Sequence, residues 1–161
     1  MATDNPLIDF NRSLGNVVQQ SLTIAANEII PVVKKRITGT GKHGSGDSFS
    51  TPYSKSHGRR RSNTGLQTSY KNLNFSGSMF DGLKITDTET RFNGATVTIS
   101  FDGAHRRRSD QSPASKQQVA NWLGEQEDKN IIALSNEEIN RVSRRVEDLV
   151  PNLLQNLIAQ Q

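Results

Sequence analysis

The chain has no cysteine anywhere in its 161 residues. It therefore forms no disulfide, carries no thiolate nucleophile and builds no cysteine-ligated zinc or iron–sulfur centre, which fits a reducing compartment. Apolar residues are also scarce, at 32%. Even with the 12 glycines added, the total stays below the roughly 45–50% of an ordinary globular chain. No run approaches the roughly 20 apolar residues that span a bilayer, and no charged-then-apolar segment of the secretory kind opens the chain. Membrane insertion is not expected. The length suits one compact domain with extensions, with a small core that calls for partners.

What is present divides into three stretches of one domain. Residues 1–37 read as an N-terminal helix. Asp4 or Asn5 caps it, and Pro6 sits where a missing N–H does no harm. Leu7, Phe10, Leu14, Val17, Val18, Leu22, Ala25 and Ile29 recur at steps of three and four, drawing one apolar stripe. Pro31 predicts a kink or an end near Ile30, with any continuation reaching about residue 37. Residues 74–161 read as a β-hairpin followed by helices. Leu83–Thr86 and Phe92–Phe101 alternate in the two-residue rhythm of half-buried strands, joined by a polar connection over Asp87–Arg91. Ser115 with Gln118, and Ser135 with Glu138, are capping boxes opening a short helix and a long one. Gly124 is a natural stop for the first. Ile139, Val142, Val146, Leu149, Val150, Leu153, Leu154, Leu157 and Ile158 stripe the second, and Pro151 should kink or split it. The fold class is α+β: a long N-terminal helix, a small antiparallel hairpin, a short helix and a long C-terminal helix.

Between them, residues 38–73 predict an extended basic loop or arm, rich in Gly, Ser and Thr and poor in apolar side chains. Structureless loops beyond about 12–15 residues are usually functional or disordered. Positions 34–61 hold eight Lys/Arg against the single acid Asp47, a local charge of +7 that exceeds the +4 of the whole chain. The strongest local signals are two arginine triplets, Arg59-Arg60-Arg61 and Arg106-Arg107-Arg108. Guanidinium groups so concentrated make bidentate bonds to phosphates or carboxylates. With Lys42, Tyr53 and Lys55 they form the candidate interaction set, Tyr53 and His57 being placed to stack on bases. A single-strand binder displays several aromatics on a sheet face, and no helix here carries a basic face for a groove. Non-specific phosphate contact and an acidic protein surface both stay open as partners.

Catalytic and cofactor patterns fail on context. Gly39-Thr40-Gly41-Lys42-His43-Gly44 matches a dinucleotide-binding pattern, but it follows a helix instead of a strand and no helix opens behind it. His43, His57 and His105 lie singly in polar loops, which predicts solvated side chains and no metal ligation. Glu125, Glu127 and Asp128 read as a soluble acidic turn with no apolar enclosure to shift a pKa. No enzyme activity and no cofactor are expected.

The element order, with Asn74-Phe75-Ser76-Gly77-Ser78-Met79-Phe80-Asp81-Gly82-Leu83-Lys84-Ile85 before the hairpin and Ile132-Ala133-Leu134-Ser135-Asn136-Glu137-Glu138-Ile139 at the last helix, resembles a known family. It is similar to the small tail-completion or neck proteins of tailed bacteriophages, a group that includes virion-morphogenesis and minor tail proteins. Met79 stands where the family usually has Leu, and Gly82 where Ser is common. The resemblance implies a non-enzymatic virion protein, assembled in the host cytoplasm as a six- or twelve-fold ring of copies at the head–tail junction. Its partners would be itself, the portal-side connector and the tail tube or terminator, with DNA passing through the lumen. The alternative from the residues alone is a basic nucleic-acid-binding protein that contacts phosphates through its arginine-rich loops.

Overall fold

The computed structural model describes residues 6–49, 52–73, 79–91, 94–105, 114–127 and 129–159. They form α1 (Pro6–Thr40), α2 (Lys55–Asn63), a 3₁₀ turn (Phe80–Gly82), β1 (Leu83–Arg91), β2 (Gly94–Phe101), β3 (Ala104–His105), β4 (Ala114–Ser115), α3 (Lys116–Glu127) and α4 (Asn136–Ala159). This is the expected α+β architecture, with long helices at either end and an antiparallel hairpin between them.

At 35 residues, α1 is about 52 Å long at 1.5 Å per residue. It does not stop near Ile30; Pro31 lies inside it. A proline in a helix interior costs about 3 kcal/mol. Beyond it, however, Val33 and Ile37 are fully buried, and burying each such side chain is worth roughly 1.5–3 kcal/mol. Packing outweighs the lost backbone bond. Pro151 is likewise carried inside α4, and α3 runs past Gly124 to Glu127.

α4 packs antiparallel along α1. Arg36 meets Glu138 near one end, and Arg145 meets Glu28 two turns on, so each step forward on one helix is a step back on the other. Both expected capping boxes form. The Ser115 amide donates to Gln118 Oε1 (2.8 Å) and the Gln118 amide to Ser115 Oγ (3.0 Å). Ser135 and Glu138 exchange the same pair of bonds.

The hairpin lies against α1 in the register Leu83↔Phe101, Ile85↔Ile99, Thr88↔Val97 and Arg91↔Gly94, with a bulge between Ile85 and Asp87. The stretch Asp87–Arg91, expected as the connection, belongs to β1. Its tip crosses the N-terminal half of α1, where Thr90 Oγ1 donates to Gln19 Oε1 at 2.8 Å. A Cβ on Gly15 would lie 2.6 Å from Thr90 Cγ2, so this mid-helix glycine makes room for the strand. The core sits at the other end, under the C-terminal half of α1. There Ile29, Val33 and Ile37 meet Met79, Phe80, Leu83, Phe101, Ala120 and Ile131. Phe80 and Phe101 pack edge to face, centroids 5.6 Å apart. Among the described residues no helix is long and apolar enough to cross a membrane.

Candidate functional site

The basic stretch after α1 is not extended. It folds back on the C-terminal end of α1, and its centre is the nine-residue helix α2. Gly41 starts the return with φ near +65°; a Cβ there would fall 2.5 Å from the Lys71 carbonyl oxygen. Lys42 pairs with Ser48 as a single antiparallel bridge. Within the loop that it closes, His43 N–H donates to Asp47 O (2.8 Å) and Phe49 N–H to Gly41 O (3.1 Å). Phe49 enters the core. A Cβ on Gly44 would lie 2.4 Å from Ala133 O, so the loop touches the turn ahead of α4 backbone to backbone.

Two arginines, one on each side of that return, hold it. Arg36 Nε donates to Glu138 Oε1 (2.9 Å) and Nη2 to Oε2 (3.1 Å), a bidentate pair. Its remaining donors reach Lys42 O (2.8 Å) and Ala133 O (2.9 Å). One guanidinium thus ties α1, the arm, the 129–134 turn and the start of α4. Burial alone would raise the Glu138 pKa, but the bonds from Arg36 and from the Ser135 amide outweigh it and hold the group below its ordinary value.

Arg61 is the second. It is 1% exposed, with Nε donating to Gln67 O at 2.8 Å and the guanidinium 4.6 Å from the centroid of the Tyr53 ring. Tyr53 also packs against His57, at 4.9 Å. The Tyr53 hydroxyl donates to Asn72 Oδ1 (2.9 Å) and accepts from the Asn72 amide (3.0 Å). Asn72 Nδ2 in turn donates to Thr38 O (2.8 Å), and the Tyr70 hydroxyl donates to Gly39 O. Through this chain of bonds α2 is fastened to the last turn of α1.

A buried ionic cluster joins the arm to α3. Lys71 Nζ lies 2.8 Å from Glu127 Oε1, and His43 Nε2 lies 3.7 Å from Glu127 Oε2. His43 is 2% exposed and stacks on Phe49 at 4.1 Å. Burial lowers its pKa, Lys129 adds to the lowering, and Glu127 opposes it only in part. The Lys129–Asp47 bridge, 3.0 Å, closes the rim. The expectations of a solvated His43 and of a wholly soluble acidic turn are therefore corrected: Glu125 is exposed while Glu127 is buried. The reason is tertiary. The arm supplies Lys71 and His43 from far away in sequence: Lys71 neutralises a carboxylate that local context left in water, and the His43 ring packs beside it. The cluster is closed to substrates and acts as a clamp.

Of the candidate interaction residues, Lys42, Lys55, Arg59 and Arg60 are exposed. Tyr53 and Arg61 are turned inward and engaged with each other. Arg106, Arg107 and Arg108 lie outside the described residues. α2 brings Lys55 and Arg59 to the same face, four residues apart, with Arg60 beside them and no acid in the helix. Sequence reasoning missed Arg36, Lys71 and Glu138 as parts of the site. For Glu138 the capping box was a local signal; for Arg36 and Lys71 no local pattern exists.

No protein-family model, characterised protein or solved structure matches this chain. Among the described residues no group of His, Asp and Glu is placed to hold a metal ion.

Proposed function

We propose that this chain is a structural subunit of a tailed-phage neck, building a homo-oligomeric ring that joins the connector to the tail, and is not an enzyme. The single observation that carries this reading is the hairpin β1–β2. It pairs only two strands, nine and eight residues long, and neither outer edge is paired with a further strand among the described residues. Two-stranded sheets are marginal alone in water. Long free edges are pairing sites that solitary proteins usually blunt. A neighbouring copy that adds to an edge supplies the missing hydrogen bonds. The resemblance of the sequence Asn74–Ile85 and Ile132–Ile139 to tail-completion proteins points the same way, and the docked arm suits a subunit that presents cations on a fixed frame.

The exposed Lys55, Arg59 and Arg60 favour a second reading, contact with nucleic-acid phosphates. That reading calls for DNA affinity that falls steeply with salt. Light scattering on the full-length chain, alone and mixed with portal-side and tail-side proteins, separates the two. Ring-sized particles with little DNA affinity support the neck subunit. A persistent monomer that binds DNA in a salt-dependent way replaces it with the second reading.

A further inference from the structure

The charges of this protein are unevenly placed. From Ser13 to Asn27, α1 contains no charged residue, and from Leu149 to Ala159 neither does α4. The Arg145–Glu28 and Arg36–Glu138 contacts fix an antiparallel register. Continued along the pair, that register sets residues 149–159 beside residues 14–24. The two uncharged stretches are therefore one feature, a stem distal to the core. Val17 is buried, but its other large apolar side chains are at most half covered, among them Leu14, Val18 and Leu22 on α1, and Leu149, Leu153 and Leu157 on α4. Ile158 is 69% exposed. Its fully exposed positions are mostly amides, among them Asn16, Gln20, Asn152, Gln155 and Asn156.

Solvent-facing protein surface is ordinarily about 25–35% charged. Depletion of charge marks the centre of an interface. The chemistry also selects the occupant. In a cyclic assembly the same residue of every copy lies at the same height, so a single acid or base becomes a belt of like charges. A surface without charge escapes that repulsion, and Asn and Gln carry both donor and acceptor, so one side of a stem can complement the other side of the next copy's stem. We infer that the stem is the homotypic contact of the assembly, each copy laying its stem against that of the next. This rests on the ring reading above and names the surface that builds it.

The size of the stem decides what kind of contact it makes. Eleven paired residues of helix rise about 16 Å, and two helices abreast are about 20 Å wide. The footprint is on the order of 300 Å² per copy, less than half of the roughly 800 Å² of a standard interface. One such contact is weak alone, so the stems hold in a closed ring, where each copy is contacted on both sides and hairpin edges add to the area.

The test uses the full chain with exposed amides exchanged for charges, Gln20→Glu with Asn156→Glu, and separately Gln20→Lys with Asn156→Lys. Circular dichroism reports that each variant keeps its helices; light scattering at low salt reports mass. The inference predicts that each variant alone falls from the wild-type mass to the monomer, and that an equimolar mixture recovers the wild-type mass. A folded glutamate variant that keeps the wild-type mass overturns the stem contact and leaves the ring reading standing. A monomeric wild type removes the ring reading and the stem contact with it. If that monomer also floats with phosphatidylcholine vesicles, the stem belongs to a lipid surface.

Discussion

Arg59, Arg60 and Arg61 are chemically identical neighbours with different duties. The first two face solvent, while the third is sealed beneath Tyr53 and bonded to Gln67. Truncating Arg61 strands a carbonyl, worth about 1–3 kcal/mol, and removes a cation–π contact worth about 0.5–2 kcal/mol. Arg61→Ala should therefore lower unfolding free energy by about 2–3 kcal/mol in chemical denaturation. Arg59→Ala and Arg60→Ala should stay within about 0.5 kcal/mol of wild type, as surface changes do. Equal effects of all three would contradict the inward placement of Arg61. His43 supplies a pH test. Its pKa is lowered in the folded protein, so the unfolded chain takes up the proton first as pH falls through 6.5. Stability from this group is complete above that pH, declines below it, and levels off only below the folded value. His57 is shifted in the same direction, by burial first and then by Arg61 and Arg60, and adds to the same slope. His43→Phe keeps the ring packed on Phe49 and should flatten the decline in melting temperature between pH 7 and 5. An unchanged slope would remove His43 from the clamp.

At the scale of elements, what was legible in the sequence was what is decided locally. The α1 stripe, both capping boxes, the α4 stripe and the alternation of β2 follow from spacing within a few residues, and each element forms where that spacing lies. What was not legible was decided at a distance. Of the end or kink expected near Ile30, the end does not occur, and the helix continues past residue 37 because Val33 and Ile37 find a core made of Phe80, Leu83 and Phe101. α2 forms in a stretch with hardly an apolar side chain because Arg61 and Tyr53 anchor it from beneath. His43 and Glu127 are buried because Lys71 comes to them. Pro31→Ala restores a backbone bond without touching the core and should raise the melting temperature, corresponding to about 1–3 kcal/mol; a lower one would show that the proline shapes the helix. Gly44→Ala should act in the opposite direction, since its Cβ would meet the Ala133 carbonyl, a backbone atom that cannot step aside. Trypsin reads the result. The wild-type arm, its backbone folded back on α1 by the Tyr53, Tyr70 and Asn72 bonds, should be cut slowly, and the Gly44→Ala arm quickly. Equal rates would mean the loop does not seat on the 129–134 turn.

For the whole molecule, one end is self-sufficient and the other is not. The core, the arm and the buried ionic cluster gather around the C-terminal half of α1, where Arg36, Arg61, Lys71, Asn72, Glu127 and Glu138 all find partners within the chain. Away from the core lie the uncharged stretches 13–27 of α1 and 149–159 of α4 and the tip of a two-stranded hairpin, with half-covered leucines and strand edges unpaired among the described residues. Under the proposed ring reading, the open end of this 17.8 kDa polypeptide is where neighbouring copies would meet. Sedimentation velocity over a wide concentration range, alone and with connector and tail proteins, tests this most directly. The account predicts a discrete species of six or twelve copies growing at the expense of the 17.8 kDa monomer. A single boundary at monomer mass under every condition would contradict it.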